Sequence, residues 1–211
     1  MQNNDILVWD AHFGPNESGV PLQNLMDDPF LQLEKSFLPM ENFKVLGGYD
    51  YGIYLFKKVS RKTVIEPKEL IRRELVFSGT AEGQPLAERA GKRCLSVDDK
   101  MEFSPSIKIS SEEIISAGFI ELAARVRFHP VEPLEKDAVL LVLTIEKDGK
   151  SISYNKTDLS EVTGVEDFRE ALLTLRIPSA QAAGSVIAVY VWNKGKKRLL
   201  LEKMEVSAKG F

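Results

Sequence analysis

The sequence predicts a mainly β fold, a jelly-roll-like β-sandwich preceded by a small α/β unit, and three observations carry that prediction. Residues 119–128 and 169–177 alternate apolar and polar side chains with a period of two, the pattern of half-buried antiparallel strands. From Glu69 onward no stretch sustains a long helical periodicity. Turn signals such as Asp148-Gly149 and Asn193-Lys194-Gly195-Lys196 punctuate that part at short intervals, as they do in all-β sandwiches.

Taken in order, Ile6 to Trp9 form a short apolar run that ends at Asp10 and the turn-rich His12-Phe13-Gly14-Pro15-Asn16, which reads as a buried strand. Leu22, Leu25, Met26, Phe30, Leu33 and Phe37 recur every three or four residues, which predicts one helical stripe opened by Pro21, restarted at Asp28-Pro29 and ended by Pro39. Phe43 to Leu46, the Gly47-Gly48 turn and Tyr51 to Phe56 then predict a hairpin or two short strands. The first unit, residues 1–62, is therefore strand, helix, strand, strand. Residues 57–68 are charged and contain Pro67, the composition of a linker, with Val59 and Val64-Ile65 free to pack on a neighbour.

The second unit, residues 63–211, offers eight or nine strands. They are Leu70–Phe77, Arg93–Val97, Phe103–Ile109, Phe119–Phe128, Ala138–Ile145, Ser151–Tyr154, Arg169–Ile177, Val186–Trp192 and Leu199–Val206. Ala138 to Ile145 is apolar on both faces apart from Thr144, which predicts a central or doubly covered strand. Asp148-Gly149 predicts a tight hairpin into Ser151–Tyr154, and the 193–196 turn predicts a second hairpin closing the chain.

Composition removes several function classes. The chain has 211 residues, 28 basic against 31 acidic, and net charge −3; residues 1–65 carry 6 basic and 8 acidic side chains. Neither part is the basic body that phosphate-driven nucleic-acid binding needs. One cysteine, Cys94, and two histidines leave no disulfide framework and no cysteine- or histidine-rich metal centre. Cys94 reads as a buried, inert thiol. No apolar run is long enough to cross a bilayer as a helix, and MQNNDILVWD lacks a signal-peptide layout.

Glu74-Leu75-Val76-Phe77-Ser78-Gly79, the stretch Phe119–Phe128 and the closing Ala188-Val189-Tyr190-Val191-Trp192-Asn193 with Leu199-Leu200-Leu201-Glu202 resemble the galactose-binding-like β-sandwich superfamily, which includes many carbohydrate-binding modules. The adjacent acidic pair usual in the last strand of such modules is replaced here by Leu200-Leu201-Glu202. That departure counts against a structural calcium held by Glu74, Glu202 and Glu205, and no cofactor is expected. The stretch Val8-Trp9-Asp10-Ala11-His12-Phe13-Gly14-Pro15-Asn16-Glu17 resembles the soluble tail of bacterial multi-spanning glycosyltransferase-like membrane proteins. That resemblance implies a C-terminal soluble region of a longer protein, on the periplasmic or extracytoplasmic side. Contact with the membrane would then run only through an upstream segment.

Sugar recognition needs aromatic faces and hydrogen-bonding groups on one surface. Phe119, Arg125 and Arg127 fall on the solvent side of their strand, and Tyr190 and Trp192 share a parity in theirs, so the five together are the candidate ligand surface. Tyr190 and Trp192 read equally well as core aromatics. Asp10, His12 and Glu17 are the one compact acid–imidazole cluster. They read either as base and orienter or as a Gly-Pro turn stapled by Asp10 and Asn16. His129, before Pro130, reads as a strand terminus. No metal-ligand pattern and no nucleophile elbow are present. The expectation is a non-catalytic accessory domain that binds a glycan, with a structural or protein-binding sandwich as the alternative; the whole protein could still be a glycosyltransferase.

Overall fold

A computed structural model describes residues 1–37, 39, 43–49, 51–60, 67–77, 85–114, 116, 119–163 and 167–211. The unit boundary expected between 62 and 63, Val64-Ile65 and Ser78-Gly79 lie outside them.

The chain opens with β1 (Ile6–Asp10), α1 (Gly14–Glu17), α2 (Leu22–Asp27), β2 (Leu31–Phe37) and β3 (Ile53–Lys58). These strands form an antiparallel sheet of order β1-β3-β2, packed on α2 through Trp9, Leu25, Met26, Leu31 and Phe56. The helix expected over 22–37 is thus half helix and half strand. Pro29 denies the helical region to the residue before it, and Asp28 is extended at φ −62°, ψ 122°. Its carboxylate accepts from Phe30 N at 2.7 Å, so the Asp-Pro pair stops α2 rather than restarting it. Around Gly47-Gly48 the chain makes the minimal antiparallel hairpin expected, one bridge residue long at Lys44, with Tyr51 N donating to Phe43 O and Val45 N to Tyr49 O, both at 2.9 Å.

The remainder supplies β4 (Lys68–Val76), β5 (Leu86–Arg89), β6 (Lys92–Val97), β7 (Ile107–Ser110), β8 (Phe119–Pro130), β9 (Leu140–Lys147), β10 (Lys150–Asp158), β11 (Arg169–Pro178), the single turn α3 (Ser179–Ala182), β12 (Val186–Trp192) and β13 (Leu199–Gly210). Two antiparallel sheets result. One runs β10-β9-β12-β7; the other runs β11-β8-β13-β6-β5, with β4 also on β13. Their inner faces share one core that includes Leu122, Val126 and Phe128 of β8, Leu141, Leu143 and Ile145 of β9, and Val189 and Val191 of β12. The mainly β sandwich expected from the sequence is the fold observed.

Asp148 at φ 52° and Gly149 at φ 74° make the tight β9–β10 hairpin, since two consecutive positive φ values match the twist of the flanking strands. The closing hairpin does not form. β12 pairs with β9 and β7, whereas β13 pairs with β8, β6 and β4, so the intervening loop carries the chain from one sheet to the other. Buried Asn193 holds that crossing: Nδ2 donates to Asp98 O and Lys197 O at 2.9 Å and to Met101 O at 3.3 Å, and Oδ1 accepts from Lys197 N at 2.8 Å.

Candidate functional site

The two sheets place the five expected ligand residues on opposite outer faces. Phe119, Arg125 and Arg127 lie on β8 in the six-stranded sheet, while Tyr190 and Trp192 lie on β12 in the four-stranded one. A single surface of all five is therefore excluded, because β8 and β12 face each other across the core through their buried residues.

On the six-stranded face the arginines sit in a lattice of opposite charge. Arg127 stands opposite Glu170 and Lys203, and Arg125 opposite Glu205. Lys203 Nζ donates to Glu74 at 3.0 Å, and that bond holds the ammonium pKa above its ordinary value. Glu202, displaced by the bulge between Leu201 and Lys203, lies 2.5 Å from Lys92 and 3.0 Å from Arg127. Arg72 lies 4.0 Å from Glu205. The three acids considered for calcium thus each have a cationic neighbour. Phe119 stacks on Phe211 at 4.4 Å, beneath the Arg176 guanidinium.

The four-stranded outer face is different in kind. Cross-strand partners share a face, which gives the rows Asp158–Leu140–Trp192, Lys156–Val142–Tyr190, Tyr154–Thr144–Ala188–Lys108 and Ser151–Glu146–Val186–Ser110. Leu140, Val142 and Thr144, on the central strand, are buried. Tyr190 and Trp192 are half-buried and outside the core cluster. Phe103, 51% exposed, bridges to Trp192 and stacks on it at 6.0 Å and 16°, with Tyr190 edge-on to Phe103 at 5.8 Å. Trp192 Nε1 donates to Glu102 Oε1 at 3.2 Å, Thr144 Oγ1 donates to Glu146 Oε1 at 3.2 Å, and Lys156 donates to Asp137 at 2.7 Å. Burial first, then the neighbouring Tyr154 and Glu146, raises the Tyr190 phenol pKa. This face offers aromatic rings ringed by carboxylates, a hydroxyl and an ammonium.

Sequence reading missed Phe103, Glu102, Glu146 and Tyr154. Phe103 has the parity of Ile107 and Ile109, which would place it inward; Ser104-Pro105-Ser106 breaks the strand, β7 starts only at Ile107, and the ring turns out. The bulge between Ser151 and Ser153 hides the facing of Tyr154 in the same way.

The acid–imidazole cluster is a turn. Asp10 Oδ1 accepts from His12 N and Phe13 N, both at 2.9 Å, and Asn16 Nδ2 donates to His12 O and Leu46 O at 2.8 Å. The His12 ring is exposed and edge-on to Phe13, and Glu17 is exposed at the end of α1. Among the described residues no group of three His, Cys, Asp or Glu side chains is arranged to hold a metal. His129 Nδ1 bonds Asp167 O at the end of β8. Cys94 is fully buried, and burial raises its thiol pKa, with Glu202 adding to the effect.

No family model matches the chain and no curated protein sequence matches it. Among solved structures, latent PorU from Porphyromonas gingivalis is similar at 8% identity and TM-score 0.40, over 75% of this chain and 16% of PorU. The CBM22-1 xylan-binding domain of Paenibacillus barcinonensis Xyn10C is similar at 17% identity and TM-score 0.34, over 66% of this chain and 94% of that domain. The CBM22-1–CBM22-2 tandem of the same enzyme is similar at 8% and 0.41, over 75% of this chain and 54% of the tandem.

Proposed function

We propose that this chain is a non-catalytic carbohydrate-binding domain whose ligand lies across Phe103, Tyr190 and Trp192 on the outer face of the four-stranded sheet. The single observation that carries the reading is the aromatic group itself: an exposed ring stacked on a half-buried indole, a phenol beside it, and Glu102, Glu146, Thr144 and Lys156 around them. Apolar C–H faces of a sugar ring pack on aromatic faces, and its hydroxyls need fixed donors and acceptors nearby. Around this face Glu102 accepts from the Trp192 indole, Glu146 from the Thr144 hydroxyl and Asp137 from Lys156, so these acceptors are held in fixed positions. The accessory role in an envelope glycosyltransferase-like protein, facing away from the cytoplasm, rests on the resemblance of residues 8–17 and is part of this proposal.

The test is a glycan array followed by calorimetry on the best oligosaccharide, xylohexaose included among the probes, with wild type and Trp192→Ala compared. Binding that falls at least about tenfold in the variant, with unchanged folding, supports the reading. No binding to any glycan, or binding indifferent to Trp192→Ala, overturns it.

One observation favours a protein partner instead. The outer face of the N-terminal sheet exposes Ile6 at 54%, Val8 at 62% and Phe37 at 46%, an apolar surface of the kind that marks interaction sites.

A further inference from the structure

A cavity of about 420 Å³ lies where the N-terminal unit meets β10 and β11, neighbouring edge strands of the two sandwich sheets. That is within the range of small-molecule sites, about 300–1,000 Å³. One wall is aromatic, with Tyr49, Tyr51 and Tyr54 lining it. Tyr51 stacks on Phe43 at 4.8 Å, and Tyr54 stands edge-on at 5.7 Å to Trp9, which also lines the cavity, so each of these two rings is braced by a second. The other wall is polar and comes from the sandwich: Ser153, Asn155, Thr174, Arg176 and Glu121. Asn155 Nδ2 donates to Ser153 Oγ at 2.9 Å. Arg176 Nε donates to Glu121 Oε2 at 2.6 Å, and its other end lies 3.6 Å from Asp27, over the stacked Phe119 and Phe211 rings.

From this geometry we propose that the cavity is a second ligand site, independent of the sheet face, and that it takes one or two residues of a neutral sugar. The charges decide the class. Arg176 is already matched by Glu121 and Asp27, so the site offers an anion no unbalanced cation. A quaternary ammonium would be served by the aromatic wall, but the carboxylates that could neutralise it, Glu121 and Asp27, are already engaged by Arg176. A neutral polyhydroxylated ring uses both walls at once, its C–H face against the tyrosines and its hydroxyls against Asn155, Thr174 and the Arg176–Glu121 pair.

The experiment titrates the whole chain with glucose, galactose, mannose, xylose and their β-1,4-linked disaccharides, with choline and glucuronate as the cationic and anionic arms, and follows chemical shifts of the tyrosine rings. Thr174→Arg fills the cavity from an exposed position, Tyr49→Ala removes an exposed wall, and Trp192→Ala removes the sheet-face site. Binding of a neutral sugar that survives Trp192→Ala but falls about tenfold or more in Thr174→Arg is the expected result. If Thr174→Arg does not fold, the same loss in Tyr49→Ala decides. Choline or glucuronate binding more tightly than every neutral sugar overturns the proposal. So does sugar binding abolished by Trp192→Ala, or no saturable shift at the tyrosines. Absent tyrosine shifts with Trp192-dependent binding intact leave the sheet-face reading standing, and binding indifferent to Trp192→Ala but lost in Thr174→Arg overturns that reading and leaves this one.

Discussion

Phe103 and Trp192 meet as a single antiparallel bridge with their rings stacked 16° from parallel, and backbone bonds on both sides clamp the pair. Ser104 N donates to Val191 O at 2.9 Å, and Asn193 N donates to Glu102 O at 2.7 Å. The ring stack therefore sits on rigid backbone, which lowers the entropy that a ligand must offset.

Phe103→Ala should remove that stacking partner without opening the core, because the ring is half in solvent. The expected outcome is a change in indole emission, a stability loss of about 1 kcal/mol, and a fall in glycan affinity comparable to that of Trp192→Ala. Equilibrium urea unfolding and calorimetry read these separately. An affinity unchanged in Phe103→Ala would remove Phe103 from the site.

Asn193→Ala should be far more costly than its place in a loop suggests. Its amide satisfies three carbonyls and one N–H at a 1% exposed position, and alanine would strand them without a partner. A loss of about 2–4 kcal/mol is expected, measured as a shift of the urea midpoint. A loss below about 1 kcal/mol would mean that water replaces the side chain.

Asn193 also marks where sequence legibility ends. The strands of the sandwich are written as period-two patterns, and the β9–β10 turn as Asp148-Gly149, because those signals are local. Which sheet a strand joins is not local. Tyr190 and Phe119 carry equivalent outward parity, and only the long-range pairing of β12 with β9 and of β8 with β11 puts them on opposite faces. The N-terminal stripe misled for a related reason. Phe30, Leu33 and Phe37 carry a helical spacing, while Leu31 and Leu33 alternate as a strand does, and Pro29 together with pairing to β3 decides for strand. The cavity residues come from distant elements whose meeting no spacing encodes.

Tyr190 makes the fold sensitive to alkali. Burial, and behind it Tyr154 and Glu146, raises its phenol pKa above the ordinary 10.0, and burial with Asp137 does the same for Tyr154. A raised folded value means that the folded chain holds these protons to higher pH than the unfolded chain does. Their contribution is therefore complete below the unfolded value and is lost as pH climbs from it to the folded one. Lys197 and Lys203, raised by their bonds to Glu135 and Glu74, act with the same sign, but their carboxylate partners are exposed and screening leaves such pairs little effect. Wild type should lose stability as pH rises above about 10. Tyr190→Phe, which keeps the ring and discards the ionisable group, should lose less over the same window. Urea midpoints measured across that range for the two proteins give the comparison, and phenolate absorbance should show the tyrosine that ionises late in wild type missing from the variant. Equal pH slopes in the two proteins would mean that the Tyr190 hydroxyl is hydrated, and that this end of the aromatic face is open to water rather than closed against Tyr154.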